Sequence, residues 1–73
     1  MKQDKFIDYR SNDLGAARDI RNRLRTARSG QTFKFVCTED QVVKLLREIT
    51  FQDGMIISRS TNAAGVFITV RKT

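Results

Sequence analysis

The side chain with the widest chemistry in this sequence is Cys37, since a thiolate can act as a nucleophile, a redox centre or a metal ligand. Cys37 is the only cysteine, and the sequence contains no histidine. A disulfide within the chain is therefore excluded, and a multi-ligand zinc or iron site has almost nothing to be built from. We expect no metal or other cofactor, and the lone thiol indicates a reducing, cytoplasmic setting.

The acidic residues form no obvious pair for general acid and base catalysis. Asp13, Glu39 and Asp40 stand where helices are expected to begin, and carboxylates there stabilise the free amide groups of the first turn. The glycines form no phosphate-binding loop, and no Walker lysine is present. The sequence therefore predicts a protein that is not an enzyme and takes no small-molecule substrate.

Arginines recur along the first predicted helix. The candidate partner-binding residues are Arg18, Arg21, Arg25 and Arg28, at intervals of three, four and three, with Arg23 beside them. Such intervals place side chains on one helical stripe, and guanidinium groups make two-pronged contacts to phosphate and carboxylate. A charged face that contacts only water is the alternative, because amphipathic helices usually carry one.

The net charge of the whole chain also favours an anionic partner. Lys and Arg total 14 against 8 Asp and Glu, which gives a net charge of +6 and a pI near 10.3. The resulting field attracts nucleic acid, anionic surfaces or acidic proteins. No segment approaches the roughly 18 apolar residues of a membrane span, and no signal peptide is recognisable, so we expect no membrane partner and no export.

The first half of the chain is predicted to hold a strand at residues 5–10 and a helix that begins near Leu14. Three candidate N-caps precede that helix, and Gly30 is expected to stop it as a left-handed C-cap. Its inward side chains are predicted to be Leu14, Ala17, Ile20, Leu24 and Ala27.

A second strand and a second helix follow. The strand at residues 32–37 is expected to turn one set of side chains inward, namely Phe33, Phe35 and Cys37. Thr38 and Gln41 form a capping box at the start of the helix. The inward side chains of this helix are predicted to be Val42, Leu45, Leu46 and Ile49.

Two β-rich segments, residues 55–60 and 65–72, are predicted to close the chain as a hairpin. Its loop, residues 61–64, is expected to be longer than the two-residue minimum. The order β-α-β-α-β-β in a single domain, residues 1–73, predicts the α+β class. We expect a two-layer sandwich with both helices on one face of a four-stranded mixed sheet.

The second face of that sheet should be open to solvent or to a partner. Along the last strand Val66, Ile68 and Val70 are predicted to face the core, and Thr69 to face outward. The possible contact residues on the outward face are Lys34, Phe67 and Arg71.

Two short segments resemble a known family. They are Ile7-Asp8-Tyr9-Arg10-Ser11 and Ser29-Gly30-Gln31. The first is similar to the hydrophobic-Asp-hydrophobic-Arg-Gly segment, and the second to the Pro-Gly-Glu segment, of the TusA/SirA-like sulfur-carrier proteins. The likeness spans nearly the whole chain and implies that family's β-α-β-α-β-β two-layer fold.

The family's defining Cys-Pro-x-Pro motif at the start of the first helix is missing, because Leu14-Gly15-Ala16-Ala17 stands in its place. The resemblance thus implies the fold without the chemistry, unless Cys37 carries the sulfur. Cys37 precedes a helix N-terminus, which would lower the pKa of its thiol. Its place on the face of Phe33 and Phe35 instead predicts a buried, unreactive thiol.

The sequence is compatible with three functions. In size and charge, though by no motif, the chain is similar to small phage-encoded proteins that bind host RNA polymerase and alter transcription. The first hypothesis is therefore a non-catalytic regulator or adaptor whose arginines bind an acidic surface of a larger protein such as RNA polymerase. The alternatives are a nucleic-acid-binding protein, although no RRM or KH signature is present, and a TusA-like sulfur carrier that uses Cys37.

Overall fold

The computed structural model describes residues 6–73, so Lys5, where the first strand was expected to start, lies outside the described residues. The elements follow the predicted α+β order. Their bounds are β1 (Ile7–Asp8), α1 (Asp13–Thr26), β2 (Thr32–Cys37), α2 (Glu39–Phe51), β3 (Gly54–Asn62) and β4 (Gly65–Lys72).

The strands form one mixed sheet in the spatial order β1-β2-β4-β3. β1 runs parallel to β2, with Ile7 opposite Phe35, because α1 carries the chain back across the sheet between them. β4 is antiparallel to both β2 and β3. A bulge interrupts the outermost strand, where Ile57 is the extra residue between Ile56 and Ser58.

Both helices pack on one face of this sheet, and the core lies between the two layers. The sheet contributes Tyr9, Phe35, Cys37, Val66, Ile68 and Val70. The helices contribute Ala16, Ile20, Leu24, Val42, Leu45 and Ile49. The alternation predicted for the last strand is confirmed, since its core-facing residues are fully buried and the intervening ones are not.

The phase of α1 differs from the prediction at its first turn. Leu14 is 88% exposed, whereas Ala16 is fully buried and continues the stripe of Ile20 and Leu24 at intervals of four. Two residues correspond to about 200° around a helix, so Leu14 and Ala16 lie on opposite sides. Asn12 is the N-cap, and its side chain accepts from the amide of Gly15 at 3.0 Å.

The end of α1 also differs from the prediction. The helix ends at Thr26, and the C-cap is Ala27 in an extended conformation rather than Gly30. Gly30 instead has a φ of +93° in the turn that leads into β2, where its amide donates to the carbonyl of Lys72 at 2.7 Å. Arg28 therefore lies in the connection after the helix and not on it.

The buried polar side chain of Gln41 joins three elements at the start of α2. Its Oε1 accepts from the amide of Thr38 at 2.8 Å, which is the returning half of the predicted capping box. Its Nε2 donates to the carbonyl of Tyr9 at 2.7 Å and to the carboxylate of Asp13 at 2.5 Å. Gln41 thereby fixes the start of α2 against the end of β1 and the first turn of α1.

The closing hairpin has a tighter loop than predicted. Asn62 pairs with Gly65, so only Ala63 and Ala64 form the turn. The Asn62 side chain accepts from the amide of Ala64 at 2.7 Å, a local bond that lets the strands continue to the turn. Within residues 6–73, both helices are too short or too polar to cross a bilayer.

Candidate binding surfaces

The outer side of α1 carries cations that the fold leaves unpaired. Arg18 and Arg25 are seven residues apart, so they share a stripe, and within residues 6–73 neither side chain forms a hydrogen bond or ion pair. Leu14 lies one turn before Arg18 on the same stripe. We call Leu14, Arg18 and Arg25 the α1 face.

Arg21 is held by the second helix. Its Nε lies 3.1 Å from a carboxylate oxygen of Glu48, which also accepts from Gln52 at 3.2 Å. The hydrogen bond from Arg21 lowers the pKa of Glu48 below its ordinary value. Arg21 thus joins α1 to α2 and is less available to a partner than the sequence pattern suggests.

Arg23 belongs to a polar network on the opposite flank of α1. Its Nε donates to Asp19 at 2.8 Å, and the hydroxyl of Tyr9 donates to the same carboxylate oxygen. Its guanidinium also lies 5.9 Å from the centroid of the Phe33 ring. Arg23 therefore packs against the fold. Of the predicted arginines on α1, only Arg18 and Arg25 have no partner within the described part of the chain.

The network changes the pKa values of Tyr9 and Asp19. Burial, followed by the hydrogen bond and charge of Asp19, raises the pKa of Tyr9 well above its usual value. Burial alone would raise the pKa of Asp19, but the hydrogen bonds from Tyr9 and Arg23 lower it overall. The sequence analysis did not predict this network. Its one signal in the sequence is a tyrosine among phenylalanines, because a buried hydroxyl needs a hydrogen-bond partner.

The open face of the sheet combines rings and cations. The rings of Phe6 and Phe67 meet edge to face, with centroids 5.0 Å apart and an interplanar angle of 88°. Lys34 Nζ lies 5.5 Å from the centroid of the Phe6 ring. Arg71 follows on β4, beside Thr32 on β2 and Met55 on β3. We call Phe6, Lys34, Phe67 and Arg71 the sheet face.

One end of this side of the sheet is closed by Arg10. Its guanidinium binds Asp8 at 2.8 Å and the carbonyl of Ala64, in the hairpin turn, at 2.9 Å. The hydrogen bonds from Arg10 lower the pKa of Asp8 to about 2. Val36, opposite Asp8 on β2, is 5% exposed although it points away from the core.

Cys37 is enclosed by the core. Its side chain is fully buried, and burial raises the pKa of the thiol, with a smaller opposing effect from Arg59. Sulfur transfer needs an accessible thiolate. The geometry therefore gives no support to a sulfur carrier that uses Cys37.

Within the described range, no three Cys, Asp or Glu side chains gather closely enough to hold a metal ion. Comparison with known proteins gave no match to a family model, to a curated protein or to a solved structure.

Proposed function

We propose that this protein is a non-catalytic adaptor or regulator that docks on an acidic surface of a larger protein through the α1 face. One observation carries the proposal. Leu14 is 88% exposed at the start of a stripe whose cations, Arg18 and Arg25, have no partner within residues 6–73. An apolar anchor beside arginines is the composition that protein interfaces favour.

The three side chains have complementary roles in such a contact. Covering Leu14 would contribute about 2 kcal/mol of hydrophobic free energy. Arg18 and Arg25 would each take a carboxylate with two parallel hydrogen bonds, which orients the partner as well as attracting it. The positive field of the whole chain would speed association with an acidic surface.

Four carboxylates of the chain also favour a non-catalytic function. Asp8, Asp19 and Glu48 are paired with arginines, and Asp13 accepts from Gln41. A general base needs a carboxylate that can reach a substrate proton. These four carboxylates are instead held in hydrogen bonds and ion pairs within the fold.

As the partner we propose RNA polymerase or another component of the transcription machinery, met in the cytoplasm. The support is the small size and net charge of +6, which are similar to those of small proteins that bind this enzyme. A reduced, buried Cys37 suits that compartment.

The test compares two double charge reversals. The protein is immobilised, and binding of purified RNA polymerase and of proteins from a lysate of the native cells is measured. The variant Arg18→Glu/Arg25→Glu alters the α1 face, whereas Arg47→Glu/Arg59→Glu makes the same change in net charge elsewhere. We expect the first to weaken binding at least tenfold and the second to weaken it much less.

Two results would overturn the proposal. One is the absence of any stoichiometric protein partner for the unaltered chain. The other is equal loss of binding in both double variants, which would assign the attraction to net charge rather than to the α1 face.

A further inference from the structure

The two helices run side by side in the same direction, which leaves a shallow groove between them on the solvent side. At their starts Gln41 of α2 donates to Asp13 of α1, and about two turns later Arg21 of α1 binds Glu48 of α2. Helical residues three, four or seven positions from Arg21 or Glu48 lie on the same side of their helix. The exposed residues at those positions are Leu14, Arg18 and Arg25 on α1, and Lys44 and Phe51 on α2. We call these five residues the helix groove.

The helix groove carries positive charge that the fold does not use. Its three cations form no hydrogen bond or ion pair within residues 6–73, and they are Arg18, Arg25 and Lys44. The carboxylate between the helices, Glu48, is already bound by Arg21. Asp40 lies one turn before Lys44 on α2 and forms no ion pair with it in the described part of the chain. The helix groove therefore attracts an anionic occupant.

Apolar side chains lie at both ends of the helix groove. Leu14 is in the first turn of α1, and Phe51, which is 82% exposed, is the last residue of α2. Because Arg21 is level with Glu48, Phe51 is level with Leu24, ten residues beyond Leu14. At the rise of an α-helix, the two apolar ends are about 15 Å apart along the groove, which is about three helical turns.

We propose that the helix groove binds an acidic amphipathic helix of the partner, about three turns long, with its apolar side chains against Leu14 and Phe51 and its carboxylates near the three cations. This inference rests on the proposed adaptor function and extends its contact from α1 to α2. A helix laid into a groove is a recurrent mode of peptide recognition, in which apolar anchors recur at helical spacing. Apolar ends with cations between them match the two faces of such a helix.

Other occupants fit the helix groove less well. Away from their ends, helices satisfy their own backbone groups, so the groove offers no partners to the N–H and C=O groups of an extended segment. A bound helix satisfies these groups internally. A second copy placed face to face would set the cations against their own equivalents, and like-charge contacts disfavour association. Nucleic acid would be attracted by the same cations, so the test includes a DNA probe.

Matched variants of the full chain locate the contact in the partner-binding assay. Phe51→Ala removes the apolar end on α2, and its control is Val43→Ala. Val43 is also exposed, but it lies about 200° around α2 from Gln41, which faces α1. Lys44→Glu reverses a cation of the groove, and Arg59→Glu makes the same change in net charge on β3. Phe51→Ala and Lys44→Glu should each weaken capture at least about fivefold, and the controls less than about twofold.

A second experiment needs no natural partner. The probe is a labelled designed peptide of about 14 residues, or about 21 Å as a helix, with leucines on one stripe and glutamates beside them. A scrambled peptide of the same composition and a DNA duplex are measured in parallel. Anisotropy at about 150 mM salt gives the affinities, and circular dichroism of the mixture gives the helix gained on binding. We expect the patterned peptide to gain helix and to bind at least about tenfold more tightly than the scrambled one.

Three results would overturn this inference. They are equal affinity for the patterned and scrambled peptides, tighter binding of the duplex than of the patterned peptide, or capture that Phe51→Ala and Lys44→Glu weaken no more than their controls do. The last result leaves the adaptor function standing if Arg18→Glu/Arg25→Glu still weakens capture. Failure of the adaptor function is a different result, the absence of a stoichiometric protein partner for the unaltered chain. Circular dichroism melting of every variant identifies any loss that comes from unfolding.

Discussion

Acids hold two of the four arginines of α1 on the helical side of the molecule, whereas the sheet side pairs Arg10 with an acid and places Lys34 beside a ring. Arg21 and Arg23 are bound by Glu48 and Asp19, so two of the arginines that the sequence places on one stripe stabilise the fold. A basic helix is therefore weak grounds for a binding site until each cation has been traced to its partner.

The comparison extends to the neutral polar groups. On the helical side, Gln41 is buried and hydrogen-bonded to two other elements and to the cap of its own helix. On the sheet side, the hydroxyl of Thr69 forms no hydrogen bond within the described part of the chain. We infer that the Gln41 amide is structural, whereas the Thr69 hydroxyl contributes little to the fold.

The largest expected effect comes from Gln41→Met, which keeps the bulk of the side chain and removes its hydrogen bonds. The amide of Thr38 would lose its acceptor and the carbonyl of Tyr9 one of its two donors, which costs about 2 kcal/mol of unfolding free energy. Thr69→Val, the matched change on the sheet side, should alter it by less than about 0.5 kcal/mol. Urea unfolding measures both, and similar costs would contradict the division between the two sides.

A smaller effect is expected from the pH dependence of Asp19. Its pKa is lowered in the folded protein, so its contribution to stability is complete above the unfolded pKa near 3.9 and is lost as the pH falls through the folded value. Asp19→Asn should therefore cost about 1 kcal/mol at pH 6, and the cost should shrink as the pH falls below the unfolded pKa and through the lower folded one.

Urea unfolding at several pH values measures this difference. Asp53→Asn is the control, because the side chain of Asp53 has no hydrogen-bond partner within residues 6–73, and asparagine tolerates its φ of +61°. A cost for Asp19→Asn that stays constant with pH would show that the Tyr9 and Arg23 contacts do not depend on the charge of the carboxylate.

Much of the fold could be predicted from the sequence, because its signals were local. The alternation along β4 predicted which side chains face the core, and the spacing of Thr38 and Gln41 predicted the start of α2. The prediction for Leu14 was wrong because a large apolar residue outweighed Ala16 in the helical pattern. Ala16 fits the closely packed interior, where a small side chain is needed and hydrophobicity is a poor guide.

The candidate surfaces were less predictable, because they depend on contacts between distant parts of the chain. Intervals of three and four placed the arginines on one stripe, but nothing local shows that Glu48 binds Arg21 from another helix. Likewise Phe6 and Phe67 are 61 positions apart in the sequence, and only the sheet order brings their rings together. The sequence pattern predicts the residue types at the surface, whereas tertiary contacts determine which of those residues remain available to a partner.

The smallest expected effect separates two arginines on the same helix. Arg21 contacts Glu48, whose side chain is 17% exposed, so Arg21→Ala should cost about 0.5 kcal/mol of unfolding free energy at low salt and less at high salt. Arg25→Ala should cost nothing measurable, because Arg25 has no partner within residues 6–73.

In the partner-binding assay the order should reverse, with Arg25→Ala weakening capture of the partner more than Arg21→Ala. Equal losses of capture would mean that the pair with Glu48 opens on docking and that both arginines contact the partner.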